Sequence, residues 1–125
     1  MKEELIFVYG TLKRGKNSPL KEQMKTKASY IEEATIIGSI YLVSYYPGLV
    51  FDNQGNVHGE LYKILDPSLL DDLDQYEGCS QSCPAPHEYR RLLINIKTFS
   101  GLEKAWCYEY LGKVNQEKKI HSGCF

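Results

Sequence analysis

Short apolar runs separated by glycine and polar turns set the pattern of this chain. Residues 5–9 form a short apolar run that stops at Gly10, and residues 35–43 form a longer one interrupted at Gly38. Residues 57–64 follow Asp52-Asn53-Gln54-Gly55-Asn56, whose composition suits a hairpin connection, so the two flanking runs are expected to pair. Residues 91–98 and 104–111 flank Phe99-Ser100-Gly101-Leu102-Glu103 and predict a second antiparallel hairpin. Gly38 and Gly59, inside apparent strands, mark positions where a bulge or bend curls a sheet toward a barrel.

Two segments carry helical signals. One is short, residues 20–26. The other starts with Asp66 as N-cap and Pro67 at the first helical position, and ends at Gly78. At about 100° per residue, Leu69, Leu70, Leu73 and Tyr76 share one side, whereas Asp71, Asp72, Asp74 and Gln75 share the other and are expected to face water.

Glu77 departs from this pattern. On the same wheel it lies at about 80° from Leu69, between Leu73 at about 40° and Leu70 at about 100°, within the apolar stripe. A carboxyl held against apolar groups in the last turn, near the negative end of the helix dipole, has its pKa pushed upward and can exchange a proton near neutral pH. The competing reading is that the last turn frays and Glu77 turns out to solvent. The wheel alone does not separate the two.

Composition narrows the class. The chain has 125 residues, enough for one domain spanning 1–125 and too few for two well-packed cores. Hydrophobic residues make up 42%, charged ones 25%, and there are ten tyrosines, which favours a strand-rich globular domain. The net charge is −1, with basic residues scattered apart from Lys13-Arg14-Gly15-Lys16 and Lys118-Lys119, so nucleic acid is not an expected partner. No apolar run approaches a bilayer span and Met1-Lys2-Glu3-Glu4 lacks a signal-peptide plan, so no membrane partner and a cytoplasmic location are expected. In that setting Cys79, Cys83, Cys107 and Cys124 are read as reduced thiols. Cys79, Cys83 and His87 recur every four residues, but Pro84 and Pro86 preclude a regular helix between them and the ligand count is short, so no metal site is assigned.

The first run leads directly into Tyr9-Gly10-Thr11-Leu12-Lys13-Arg14-Gly15. Gly10 allows backbone N–H groups to come close to an anion or a carbonyl oxygen, so Tyr9, Gly10, Thr11 and Leu12 are candidate substrate-binding residues. The spacing is not that of a phosphate loop. Read without context, the same residues also describe an ordinary strand exit.

Several segments, taken in order, are similar to the gamma-glutamylcyclotransferase-like family, which includes gamma-glutamylamine cyclotransferase and the butirosin-pathway cyclotransferase. They are Val8-Tyr9-Gly10-Thr11-Leu12-Lys13-Arg14-Gly15, Tyr46-Pro47-Gly48-Leu49-Val50, Val57-His58-Gly59-Glu60-Leu61-Tyr62 and Leu73-Asp74-Gln75-Tyr76-Glu77-Gly78. Tyr89-Arg90-Arg91, Ala105-Trp106-Cys107-Tyr108-Glu109-Tyr110 and Ile120-His121-Ser122-Gly123 complete the series. The resemblance implies an α+β fold built on a small mixed, partly closed β-barrel with two or so flanking helices, and a cavity lined by Tyr9 to Leu12 and by Glu77 as the catalytic carboxyl. It implies a gamma-glutamyl small-molecule substrate whose α-amino group attacks its own side-chain carbonyl, releasing 5-oxo-L-proline and a free amine, with no cofactor and no metal. The tail departs from the pattern, ending Gly123-Cys124-Phe125 where relatives often have Gly-Asp and tryptophan.

Weaker candidates stand beside these. Asn17 and Tyr108 are polar groups for a pocket, or respectively a helix cap and a packed strand residue. Arg90 is a partner for a substrate carboxylate, or a surface residue at a strand start. The segment between Glu77 and Tyr89 is expected to shape the leaving-group side. A non-catalytic binding module with the same cavity and an amidase using water remain as alternative functions.

Overall fold

The computed structural model describes residues 4–16, 18–79, 85–99 and 101–125. Strand β1 (Leu5–Val8) is buried at every position because it has apolar neighbours on both faces. Leu5 and Phe7 belong to a cluster made of strand and loop residues, including Ile36, Leu61, Ile96 and Ala105. Ile6 and Val8 belong to a second cluster, to which the two helices contribute Met24, Leu69, Leu70 and Leu73. This strand therefore joins the two parts of the core.

The remaining elements follow as α1 (Lys21–Lys27), β2 (Ala28–Ile37), β3 (Ser39–Leu42), β4 (Pro47–Val50), β5 (Asn56–Ile64), α2 (Ser68–Glu77), β6 (Tyr89–Thr98) and β7 (Gly101–Tyr110), with a short 3₁₀ turn at Gln116–Lys118. Five strands close a barrel in the order β1-β5-β2-β6-β7. Its seam is the parallel bridge Ile6↔Trp106 between β1 and β7, while the other pairings are antiparallel. The expected mixed barrel with two flanking helices is the fold of this chain.

Chain breaks explain where the elements differ from expectation. The run 35–43 is two strands: residues 35–37 pair with β5 as expected, through Thr35↔His58 and Ile36↔Val57, but the chain turns at Gly38 and β3 leaves to pair with β4. Strand β2 also begins at Ala28, within a stretch whose charged residues hide its alternation. The register of β2 shifts between Tyr30 and Glu32, leaving Ile31 as the irregularity, whereas Gly59 sits in register opposite Ala34. The second hairpin is tighter than expected, with Thr98 opposite Gly101; Ser100 lies outside the described residues.

Helix α2 starts as its capping residues dictate. Asp66 Oδ1 accepts the Ser68 N–H at 3.0 Å, and the Asp66 carbonyl accepts the Leu69 N–H at 3.0 Å. The helix stops at Gly78, whose φ of 73° is readily adopted only without a side chain. Among the described residues no helix is long and apolar enough to cross a membrane.

Candidate functional site

The apolar stripe of α2 carries Glu77 inward. Leu69 and Leu73 are fully buried and Leu70 nearly so, which fixes the helix rotation and turns Glu77 toward a cavity of about 200 Å³. The same cavity is lined by Phe7 to Leu12, Tyr45 to Pro47, Tyr76, Glu88, Tyr89 and Tyr108. The five residues singled out from sequence, Tyr9, Gly10, Thr11, Leu12 and Glu77, therefore line one cavity.

Burial, and secondarily the negative charge of Glu88, push the Glu77 carboxyl from 4.5 up to about 7. Among the described lining residues there is no lysine, arginine or histidine to oppose this. Glu77 thus sits near the midpoint of its titration at neutral pH.

The turn opposite is held from three sides. The Tyr9 ring is buried, its hydroxyl donating to the Tyr108 carbonyl at 2.7 Å and accepting the Leu49 N–H at 3.3 Å. With its phenol engaged in these backbone contacts, Tyr9 fixes the start of the turn. The Thr11 and Tyr76 hydroxyls are 3.1 Å apart, tying the turn to the helix that bears Glu77. Gly10 packs on Pro47 so closely that a Cβ there would lie 2.9 Å and 3.0 Å from Pro47 Cγ and Cδ. Pro47 is itself held by the Tyr89 hydroxyl, which donates to its carbonyl at 2.7 Å. Beyond the turn, the Arg14 N–H donates to Glu60 Oε1 at 2.8 Å and Arg14 Nε to Oε2 at 3.2 Å.

Other expectations resolve differently. Asp74, expected on the hydrated side of α2, accepts two hydrogen bonds from Arg91, at 2.8 and 3.1 Å, and one from the Tyr108 hydroxyl at 2.7 Å. The helix wheel marks it as polar but is blind to β6 and β7, which bring its partners. Tyr108 lines the cavity, yet its hydroxyl is turned to Asp74 and its carbonyl to Tyr9, so it links the helix to the turn. Arg90 pairs across the hairpin with Glu109 at 2.6 Å with 60% of its side chain exposed, a surface contact outside the cavity lining.

Asn17 and Cys83 lie outside the described residues. Among the described residues no group of three or more His, Cys, Asp or Glu is arranged to hold a metal ion. Cys79 is beside Asp74, with its Sγ 3.8 Å from Oδ1, and burial pushes its thiol up to about 11.

Sequence reasoning missed Tyr45, Tyr46, Tyr76 and Tyr89 as lining residues, whereas Glu88 belongs to the segment expected to shape the leaving-group side. The available signal was the density of tyrosines around Tyr46-Pro47 and Glu88-Tyr89, two loops that meet through the Tyr46 and Tyr89 rings, 6.2 Å apart. Nothing in their separate positions announces that they converge.

A barrel whose cavity joins a glycine turn to a withdrawn carboxyl suits acid–base work on a small molecule, and the comparisons identify the class. The family model described as gamma-glutamyl cyclotransferase, AIG2-like, matches residues 6–125. The chain belongs to this family. A Vibrio cholerae protein with a provisional gamma-glutamylcyclotransferase name is 35% identical, over 96% of this chain and 90% of the relative. The gamma-L-glutamyl-butirosin B gamma-glutamyl cyclotransferase of Niallia circulans is 32% identical, over 84% of this chain and 65% of the relative. Among solved structures, an uncharacterized protein from Pyrococcus horikoshii superposes with a TM-score of 0.71 at 31% identity, covering 98% of this chain and 89% of that one.

Proposed function

We propose that this protein cyclises a gamma-glutamyl amine or peptide to 5-oxo-L-proline and a free amine, with Glu77 as the acid–base catalyst. The observation that carries this reading is the Glu77 carboxyl, raised to about 7 in a cavity it shares with the Tyr9 to Leu12 turn. The substrate's α-ammonium must lose a proton before its nitrogen attacks, and the departing nitrogen must gain one. A carboxyl poised near neutrality performs both transfers.

The steps balance without water. Ionised Glu77 takes a proton from the α-ammonium, and the freed nitrogen pair forms a bond to the γ-carbonyl carbon. The carbonyl oxygen becomes an oxyanion. Its collapse restores the carbonyl and breaks the bond to the leaving nitrogen, which receives a proton from Glu77. The ring nitrogen, left with two hydrogens after its attack, gives up its second proton to Glu77, and the released amine takes that proton and leaves as an ammonium. The turn residues Gly10, Thr11 and Leu12 supply fixed backbone donors for the substrate's anionic oxygens, a role favoured by the lack of basic side chains among the described lining residues. No cofactor or metal enters this sequence of steps.

The test is incubation of wild type and Glu77→Gln with a panel of gamma-glutamyl amines and peptides, followed by chromatography for 5-oxoproline. The proposal expects 5-oxoproline from wild type and a large loss in the variant. Glutamate as the product would mean attack by water. Thermal stabilisation by the panel without turnover would mean a binding module.

A further inference from the structure

The cavity has a second carboxylate that the chemistry above does not use. Glu88 is an exposed lining residue, as is Tyr45 at 76% exposure, whereas Glu77 lies deeper. Glu88 is held in place: its carbonyl accepts the Leu111 N–H at 2.8 Å and its carboxylate accepts the Tyr46 hydroxyl. The Tyr46 ring in turn meets Tyr45 edge-on, with centroids 5.0 Å apart and planes at 86°. Nearby Arg90 is engaged with Glu109.

Charge then points to the ligand. A gamma-glutamyl amide of an uncharged amine brings one ammonium and one carboxylate, so it leaves a cavity with two carboxylates and no basic lining side chain among the described residues uncompensated. Once Glu77 has taken the ammonium's proton, Glu88 and the substrate's own carboxylate lack a counter-charge. At about 200 Å³ the cavity is smaller than the roughly 300–1,000 Å³ that encloses a drug-sized ligand, so the amine end extends through the mouth, past Glu88 and the two tyrosine rings. A carboxylate flanked by aromatic rings favours a cation.

We propose that Glu88 reads a positive charge on the departing amine, so that preferred substrates are gamma-glutamyl derivatives of diamines or of other amines with a second cationic group. This inference rests on the cyclisation reading. Glu88 acts here as a specificity-determining residue at the rim.

The experiment compares three gamma-glutamyl amides of similar length at low ionic strength: those of 1,4-diaminobutane, n-pentylamine and 4-aminobutyrate. Release of 5-oxoproline and the shift in melting temperature are measured for wild type and Glu88→Gln. We expect kcat/KM to fall in the order cation, neutral, anion, with the first about tenfold above the second. That ratio shrinks in Glu88→Gln and in high salt. Equal rates for the cationic and neutral amides in wild type would overturn the proposal, as would a preference that survives Glu88→Gln. An equal loss on all three amides would overturn it too, because Glu88 would then be serving the shared glutamyl part. If no amide releases 5-oxoproline, the cyclisation reading fails, and the melting shifts decide the charge preference: greater stabilisation by the cationic amide, lost in Glu88→Gln, keeps it, and equal shifts refute it.

Discussion

Glu60 and Glu77 are both carboxylates withdrawn from water, yet their surroundings give them opposite characters. Glu60, 8% exposed, accepts from the Arg14 N–H, the Arg14 guanidinium and the Tyr62 hydroxyl, at 2.8, 3.2 and 2.9 Å. The guanidinium also stacks on the Tyr30 ring, 3.7 Å from its centroid. Glu77 shares its cavity with a second carboxylate and no basic side chain among the described lining residues. A buried carboxylate met by donors and a guanidinium fastens a loop; one that shares its cavity with a second carboxylate and no basic side chain among the described lining residues holds its proton longer and can pass it on. The two act on the same segment, since Glu60 anchors its far end and Glu77 faces its near end.

The largest effect expected from breaking this comparison is on rate. Glu77→Gln removes the proposed acid–base group and should lower kcat/KM by about a thousandfold, measured by 5-oxoproline release. In wild type, kcat/KM should rise with pH to a plateau with its midpoint near 7, because the proposed mechanism starts from ionised Glu77. Stability should move the other way. Between pH 4.5 and about 7 folded Glu77 keeps a proton that the unfolded chain has released, so stability falls as pH rises through this window and then levels off. Glu77→Gln should therefore melt higher than wild type at pH 8, by up to about 3 kcal/mol, and nearly alike at pH 4.

Glu60→Ala should be the mirror image. It strands the Arg14 N–H and the Tyr62 hydroxyl and should cost roughly 2 kcal/mol in urea denaturation, while leaving the midpoint of the pH–rate profile in place. Gly10→Ala drives a Cβ into the Pro47 ring and should cost about 1 kcal/mol. Its effect on kcat/KM should be about tenfold if the turn holds substrate as proposed. The smallest effect belongs to Arg90→Ala, which removes an exposed pair with Glu109 and should cost less than about 1 kcal/mol of stability while leaving kcat/KM within about twofold of wild type.

Local chemistry was enough for much of this molecule. Asp66, Pro67 and Gly78 specify both ends of α2, because a cap, a fixed φ and a left-handed stop act within a few residues. The out-of-phase position of Glu77 was also legible, since a helix that buries three leucines has no rotational freedom left. The second hairpin was visible as two runs about a turn, though its tight loop was not.

What sequence could not supply was convergence. Whether residue 77 faced cavity or solvent depended on β1, β4 and β6 arriving opposite it, and the wheel contains none of them. The same reason underlies Asp74, whose partners Arg91 and Tyr108 are 17 and 34 residues away along the chain. The run 35–43 looked continuous because apolar pattern records burial, while the departure of β3 toward β4 is a choice of pairing partner. Sequence by itself determined the two helices, the ends of α2, the second hairpin and one carboxyl on the wrong face. Only the closed barrel decided that this carboxyl meets the Tyr9 to Leu12 turn and a second glutamate in one cavity, because long-range pairing alone brings distant loops to the same mouth.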